Sequence, residues 1–510
     1  MSAEIELKLS LDPAALKAFR ASPLLAAARR RRQRVFNVYF DTPDCELARS
    51  RMALRLRKMG PRWLQTLKTA GSGAGGLSRR GEWEFVLPDA TLDLALLRDT
   101  PLAGLADADS LHERLKPAFT TDFVRTTWLV SPAPGQDIEV ALDVGEARCE
   151  DRITPLCEVE LELKVGEAAH VIALGRALAL SMPPSQPLMP TQASKAERGY
   201  RLFRGERLAA VKARPVKLDA DWAPPRALQA IVAAGLEHFL ANTEGAATTD
   251  DPEFIHQLRV ALRRVRSVLR MFKVSAQAEE LKWLAATLGA ARDWDVFLAD
   301  VWPPLCAAYV AAGGEARDAE PVVMNAIAAQ ATARVEARAA LRSRRTALLV
   351  LALAELAVAS EPPAVGANAY VEGADALLEP LPAFASRQIK RRHKRLLREA
   401  QGLAVMTAEA RHQVRIEAKK LRYAVDFFAG LYRRERTEPY LAALAAIQEV
   451  LGEANDAATA LTLLARLSPP TPLRLFAQGW FAARAHAHAS EVDRLFEQLA
   501  SVRRFWRGEG

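Results

Sequence analysis

Residues 157–164 read CEVELELK. As a strand, this segment puts Glu158, Glu160, Glu162 and Lys164 on one face and Val159, Leu161 and Leu163 on the other. Three carboxylates in a row repel one another unless cations stand among them. The pattern recurs. Glu4, Glu6 and Lys8 alternate with Ile5, Leu7 and Leu9; Arg55 and Arg57 with Leu54 and Leu56; Glu82 and Glu84 with Trp83 and Phe85; Glu139 and Asp143 with Ile138, Val140 and Leu142. One such strand would read as the wet face of a half-exposed antiparallel sheet. A set whose polar faces carry almost nothing but Glu, Asp and Arg asks for a different solution. A closed barrel with a charged lumen and an apolar outside provides it, because the arginines of one strand then stand beside the carboxylates of another.

Strand-like segments run to about Arg204: VFNVYFDT, MALRLRKM, RWLQTLKT, GEWEFVL, TTWLV, DIEVALDVG and CEVELELKV, with helical patches at 12–20 and 167–180. The proline-bearing stretch 211–225, VKARPVKLDADWAPP, reads as a linker. Beyond it alanine, leucine and arginine dominate and the period turns helical. The expected organisation is a β-rich domain over 1–204, a linker over 205–222 and a helical domain over 223–505. EPPAVGANAY at 361–370 divides the helical half near its middle.

That half carries an internal duplication. IHQLRVALRRVRSVLRMF at 255–272 resembles RHQVRIEAKKLRYAVDFF at 411–428, and LGAARDWDV at 288–296 resembles LGEANDAAT at 451–459. At about 100° per residue, His256, Arg259, Arg263, Arg266 and Arg270 share one arc of a helix opposite Leu258, Leu262, Val265 and Leu269. His412, Arg415, Lys419 and Arg422 repeat the stripe, and Asp426 replaces its last arginine. A third basic run, RQIKRRHKRLLR at 387–398, contains Lys390 and Lys394. Charge runs are often solvated faces. This one has little acid at i+3 or i+4 and the same histidine-led register twice, so two such helices facing each other would form a basic cleft for a long polyanion. Asp293, Asp295 and Asp456 are assigned to helix caps or to pairing with the stripe. Few aromatics interleave the cations, which disfavours nucleic acid as a partner.

The net charge of +9, from 70 basic and 61 acidic residues, is modest for 510 residues, so the anion argument rests on clustering. The four cysteines form no C-x-x-C pair, which points away from a disulfide framework or zinc site and toward a reduced, cytoplasmic setting. The most apolar stretch, 346–360, is interrupted by Glu355 and is too short for a bilayer, so no membrane partner is expected.

Clustered carboxylates suit hard divalent cations, and clustered Arg and Lys suit phosphate oxygens. A lumen with both fits a metal–polyphosphate substrate.

With these residues in view, the first half resembles the CYTH superfamily, the triphosphate tunnel metalloenzymes. EIELK matches the E-x-E-x-K signature, followed in order by YFDT (39–42), LRLRK (54–58), TLK (66–68), RRGEWE (79–84), TDFVR (121–125), ALDVGE (141–146), CEVELEL (157–163) and SKAERGY (194–200). The resemblance implies an eight-stranded antiparallel tunnel within an α+β domain, and Mg²⁺ or Mn²⁺ on Glu4, Glu6, Asp143, Glu158, Glu160 and Glu162. It implies that Lys8, Arg55, Arg57, Lys68, Arg80, Arg125 and Lys195 hold the triphosphate, with Glu82 and Glu84 orienting them, and that Glu4, Glu6, Lys8 and Lys68 are catalytic. The second half resembles the CHAD domain, the conserved histidine α-helical domain. That implies an all-α pair of duplicated bundles binding inorganic polyphosphate through His256, Arg259, Arg263, Arg266, Arg270, Lys390, Lys394, His412, Arg415, Lys419 and Arg422. The expected function is an inorganic triphosphatase that splits tripolyphosphate into pyrophosphate and phosphate, cytoplasmic and associated with polyphosphate granules. Competing expectations are a polyphosphate-binding scaffold without turnover and a nucleotide or thiamine triphosphate enzyme. Trp63 and Trp83 are the candidate base-stacking residues for the latter and are assigned instead to packing.

Overall fold

The computed structural model describes residues 2–71, 73–105, 110–359, 379–403, 406–467, 471–487 and 489–506. The stretch 361–370 lies outside them. The chain forms two compact units: residues 1–211 with 239–247 and 342–360, and residues 212–238 with 248–341 and 361–510. The segments 239–247 and 342–360, expected in the helical domain, thus group with the first unit. Ion pairs inside it, Arg201–Glu244 at 3.0 Å and Arg176–Glu355 at 3.4 Å, are part of the reason.

The first unit is built on strands β1 (Ser2–Ser10), β2 (Arg30–Asp41), β3 (Met52–Met59), β4 (Arg62–Thr69), β5 (Leu77–Leu87), β6 (Lys116–Val130), β7 (Asp137–Cys149), β8 (Arg152–Val165) and the two-residue β9 (Met189–Pro190). The hydrogen-bonded order is β5-β4-β3-β2-β6-β7-β8-β1, and β1 also pairs with β5. Eight antiparallel strands therefore close into a barrel, which leaves none of them as an open edge. β9 adds to β1 at Ser10.

The apolar faces are turned out and covered. Leu7 and Leu9 are fully buried. Helix α1 (Ala168–Ser181) crosses over Leu7 at Gly175, where an added Cβ would stand 2.5 Å from Leu7 Cδ2. Leu54 and Leu67 pack with Leu97, Leu102 and Leu111, and Trp83 joins that cluster. Burying side chains of this size contributes roughly 1.5–3 kcal/mol each. Trp63 lies on the same outer face, with the Lys58 ammonium 5.5 Å from its ring centre.

One end of the barrel is filled by helix α2 (Lys195–Arg204). Ser194 caps it and Glu197 closes the capping box. Tyr200 meets Phe119, which stacks on Tyr39. An alanine Cβ at Gly199 would fall 2.0 Å from the Phe119 ring, so this close approach requires glycine. Residues 206–219 contain neither helix nor strand.

The second unit is helical. Helix α3 (Pro252–Met271) packs on α4 (Ala278–Val296), and α6 (Ala408–Phe428) packs on α7 (Arg434–Leu467) and on α5 (Leu381–Glu399). α3 and α6 also touch each other. No described helix is long and apolar enough to cross a membrane.

Candidate active site and basic cleft

Cross-strand register decides how the tunnel charges meet. Directly opposed residues share a face of the sheet. Glu4 lies opposite Arg80, Lys8 opposite Glu160, Lys68 opposite Glu82 and Arg125 opposite Asp143. Like charges also oppose each other: Asp143 faces Glu158, and Glu162 faces both Glu6 and Glu139.

The Asp143–Glu158 conflict is resolved from off the sheet. Lys195 reaches down from α2, and its Nζ stands 2.6 Å from Asp143 Oδ2, 2.5 Å from Glu158 Oε1 and 2.9 Å from Glu160 Oε1. Arg125 donates to both Asp143 oxygens at 2.8 and 2.7 Å and to Glu160 at 2.6 Å. Asp143 and Glu158 are fully buried. Burial alone would raise the Asp143 and Glu160 carboxyls, but Arg125 and Lys195 outweigh it at Asp143, and Lys195, Lys8 and Arg125 at Glu160, so both are held below the usual carboxylate range. Burial would likewise lower Lys195, and its three carboxylates raise it instead.

A second cluster centres on β1. Glu4 accepts from Lys68 at 2.9 Å and from Arg80 at 2.8 Å; Glu6 pairs with Arg80 at 2.5 Å and Lys8 at 3.1 Å. Lys8 bridges toward Glu160 at 3.6 Å. Burial opposes ionisation of Glu4, and Lys68 and Arg80 overcome it. Glu82 pairs with Lys68 at 3.0 Å and Arg55 at 3.7 Å. Glu84 is exposed and accepts from Thr66 at 3.3 Å.

Two arginines are different. Arg57 is held by the neutral Asn37, Nε donating to Oδ1 at 2.9 Å, and no carboxylate lies within ion-pair distance of it among the described residues. Burial, with Arg55 and Arg125 close by, pulls its guanidinium down to about 9. Arg55 is 6% exposed, and its Nε and Nη2 lack a hydrogen-bond acceptor. Buried donors left open in this way are costly unless an anion arrives.

Of the carboxylates expected to face metal, Asp143, Glu158 and Glu160 bring ligand oxygens within 4.8 Å of one another. Three buried carboxylate oxygens suit a hard divalent cation. Lys195 already sits among them, so a cation there would share or displace the ammonium. Glu4 and Glu6 form their own group around Arg80. Glu162 faces Glu6 and Glu139 across the sheet, is partly exposed and pairs with Lys164 at 2.6 Å; burial, with Glu4 and Glu139 close by, raises its carboxyl. Arg198, one turn from Lys195 and 3.6 Å from Glu158, is a tunnel cation the strand pattern did not disclose. Its i+3 spacing from Lys195 was the available signal.

In the second unit, α3 and α6 bring their stripes together. Burial first, then Arg415 and Arg263, pull the Lys419 ammonium down to about 7. Burial also lowers Arg259, with Arg263, Arg292 and Arg415 adding to it, and Arg415, with Arg263. Arg263 Nε and Arg415 Nε have no acceptor. Gly289 gives room for the Arg259 guanidinium, whose Nη1 would lie 2.4 Å from a Cβ there and which donates to the Ala285 carbonyl at 3.1 Å. His256 is lowered by burial and Arg292, and His412 Nδ1 lies 3.0 Å from Asn455 Oδ1.

Other members of the stripe are peripheral. Arg270 is exposed and Arg266 half-buried beside it. Arg422 donates to Gln448 at 3.2 Å. Asp426 lies 3.8 Å from Arg422 and 4.0 Å from Arg264, so it neutralises that end of the cleft. Lys390 and Lys394 are exposed on α5, and among the described residues no hydrogen bond or ion pair joins them to the cluster. Asp293, Asp295 and Asp456 do not cap helices. Asp293 and Asp456 lie inside α4 and α7, near Arg259 and near Arg415 and Lys419 respectively. Asp295 pairs with Arg334 at 2.7 Å.

Comparison with known proteins follows the same division. An inorganic triphosphatase from Haemophilus influenzae is 34% identical over 212 residues, 40% of this chain and 55% of that protein. The match thus spans about half the length of that relative. The CHAD domain of the plant Ricinus communis aligns with 32% identity and a TM-score of 0.47 over 58% of this chain and 98% of that one. A Hippeastrum adenylyl-cyclase-like protein with a dominant triphosphatase activity aligns with 21% identity and a TM-score of 0.30 over 40% of this chain and 97% of that one. Family models match at residues 2–200, for the CYTH domain, and at residues 230–465, for the CHAD domain. The charged barrel is therefore a CYTH domain, and the chain continues from it into a CHAD domain.

Proposed function

We propose that this chain is a divalent-metal-dependent inorganic triphosphatase that splits tripolyphosphate into pyrophosphate and phosphate, and that its helical unit binds longer polyphosphate. The carrying observation is Arg55, a buried guanidinium with two open donors, beside Arg57, whose hydrogen-bond partner is the neutral Asn37, in the lumen that also holds the Asp143–Glu158–Glu160 cluster. Triphosphate oxygens would complete the open donors of Arg55, give Arg57 an anionic partner and return it toward its ordinary basicity. Mg²⁺ or Mn²⁺ on Asp143, Glu158 and Glu160 would supply charge neutralisation and a polarised water. Lys8 and Lys68, each already bridging carboxylates, would follow the charge that develops on the leaving pyrophosphate. Glu4 and Glu6 hold Arg80 and Lys68 in place for that task. Phosphate release from tripolyphosphate by the purified full chain, with and without Mg²⁺ or Mn²⁺, tests the reading; no metal-dependent release overturns it.

The basic cleft around Arg259, Arg263, Arg415 and Lys419 supports polyphosphate binding on the same ground, a cluster of buried cations whose own charges depress one another. Tethering a long chain there would raise its concentration near the tunnel, and the reading places the protein in the cytoplasm beside polyphosphate granules. A scaffold without turnover is favoured by one observation, that Lys195 and Arg125 already neutralise the buried carboxylates. Glu4→Ala with Glu6→Ala separates the two: the enzyme reading requires phosphate release to collapse while polyphosphate binding persists. Trp63 and Trp83 pack on the barrel's outer face, which counts against base recognition at the mouth.

A further inference from the structure

β2 begins five residues earlier than its alternating core, and those residues are Arg30, Arg31, Arg32, Gln33 and Arg34. With Arg29 they make a run of arginines that the tunnel chemistry does not use. β3 stops at Met59, opposite Val35, so Arg30–Arg34 pair only with β6 and project beyond the β3–β4 turn. Four steps of about 3.3 Å make this projection roughly 13 Å long. It stands at the end of the barrel away from α2, where inward-facing residues such as Glu84 become exposed. Arg31 and Gln33 share the inward face, since Gln33 lies opposite Arg125.

Arg29, Arg30, Arg31 and Arg32 are all exposed, and among the described residues none has an ion-pair partner. Arg34 alone is paired, to Asp122 at 2.5 Å. The neighbours across on β6 are Trp128, Thr127 and Thr126, none of them acidic. The mouth's acids, Glu84, Glu139 and Glu162, stand on β5, β7 and β8. Arg31 on the inward face, with Arg30 and Arg32 on the outer face of the same projecting strand, gives the rim unpaired guanidiniums with no acid directly opposite, a place where a linear polyanion can pass over the edge.

We propose that Arg30–Arg32 form a lip that receives the trailing part of a phosphate chain longer than three, so that the tunnel also takes long-chain polyphosphate from its end. This rests on the phosphoanhydride hydrolase reading above. The bond change is unchanged: water oxygen joins the terminal phosphorus, the bridging P–O bond breaks, and its electron pair stays on the shortened chain. The water protons are shared between the released phosphate and solvent.

The test compares the full-length protein with its Arg30→Ala, Arg31→Ala, Arg32→Ala variant on tripolyphosphate and on a long linear polyphosphate, at low and high KCl. The helical unit is identical in both proteins, so its effect cancels. The expected result is a KM for the long chain raised by about tenfold, with a shallower salt dependence, while tripolyphosphate KM stays within about twofold. Arg31→Glu alone should exceed the effect of Arg31→Ala. The lip is overturned if tripolyphosphate is hydrolysed but the long chain is not, if both KM values move equally, or if neither moves. Turnover of neither substrate by the unaltered protein sinks the hydrolase reading and the lip together.

Discussion

The Lys195 ammonium lies 2.6 Å from the Asp143 carboxylate, joining a helix that fills one end of the barrel to the middle of β7. Across β6 Asp143 meets Arg125, but across β8 it meets a second carboxylate, Glu158. The helix supplies the cation that this second pairing lacks. The same ammonium sits among the three carboxylates that the proposed function gives to a divalent cation.

Lys195→Met should leave Asp143, Glu158 and Glu160 with Arg125 as their main cation. Removing one partner of a buried ion pair costs about 3–5 kcal/mol. Thermal denaturation in chelator should show a large fall in Tm. Mn²⁺ should restore more stability to the variant than it adds to the unaltered protein, since the cation then takes an empty seat.

Arg57→Gln removes a cation that burial and two neighbouring arginines destabilise. The variant should be at least as stable as the parent in the absence of anions. Its KM for tripolyphosphate should rise roughly tenfold or more, as expected for the loss of a charge-assisted hydrogen bond of about 1.5–3 kcal/mol. Steady-state kinetics beside a melting curve reads both.

Glu160→Gln and Glu162→Gln differ by one charge each on the same strand face. Glu160 touches Lys195 and Arg125, whereas Glu162 is partly exposed with Lys164. Phosphate release should fall far more steeply for Glu160→Gln. Equal losses would put Glu162 on the same footing as Glu160 toward the metal.

Lys419 carries a pH signature. Its ordinary value of 10.5 falls to about 7 in the folded protein. Between those values the unfolded chain binds more protons, so stability should rise with pH from about 7 toward 10.5, and the penalty is fully present below about 7. Lys419→Met should raise Tm at pH 6 and flatten that slope. A bound polyanion restores the ammonium, so polyphosphate binding at pH 8 should take up protons, read by calorimetry in buffers of different ionisation enthalpy. The uptake should shrink in the variant.

Much of the tunnel was legible because strand periodicity is local. Glu4 and Glu6, Arg55 and Arg57, and Glu158 and Glu160 sit two apart, which already commits each pair to one face. The helical stripe was legible for the same reason: His256, Arg259 and Arg263 recur at helical spacing. Strand length was less so. Arg30–Arg34 do not alternate, and only the pairing with β6 makes them strand.

What the sequence determined by itself was which side chains share a face, since backbone geometry imposes periods of 2 and 3.6 whatever the rest of the chain does. Only the tertiary structure decided which faces meet. Register set Asp143 against Glu158 and Arg125, α2 delivered Lys195 and Arg198 to them, and α3 against α6 pressed Lys419 among arginines. Those outcomes depend on contacts between distant segments, and it is there, where burial removes water from between charges, that electrostatics becomes strong enough to set ionisation and to demand a ligand.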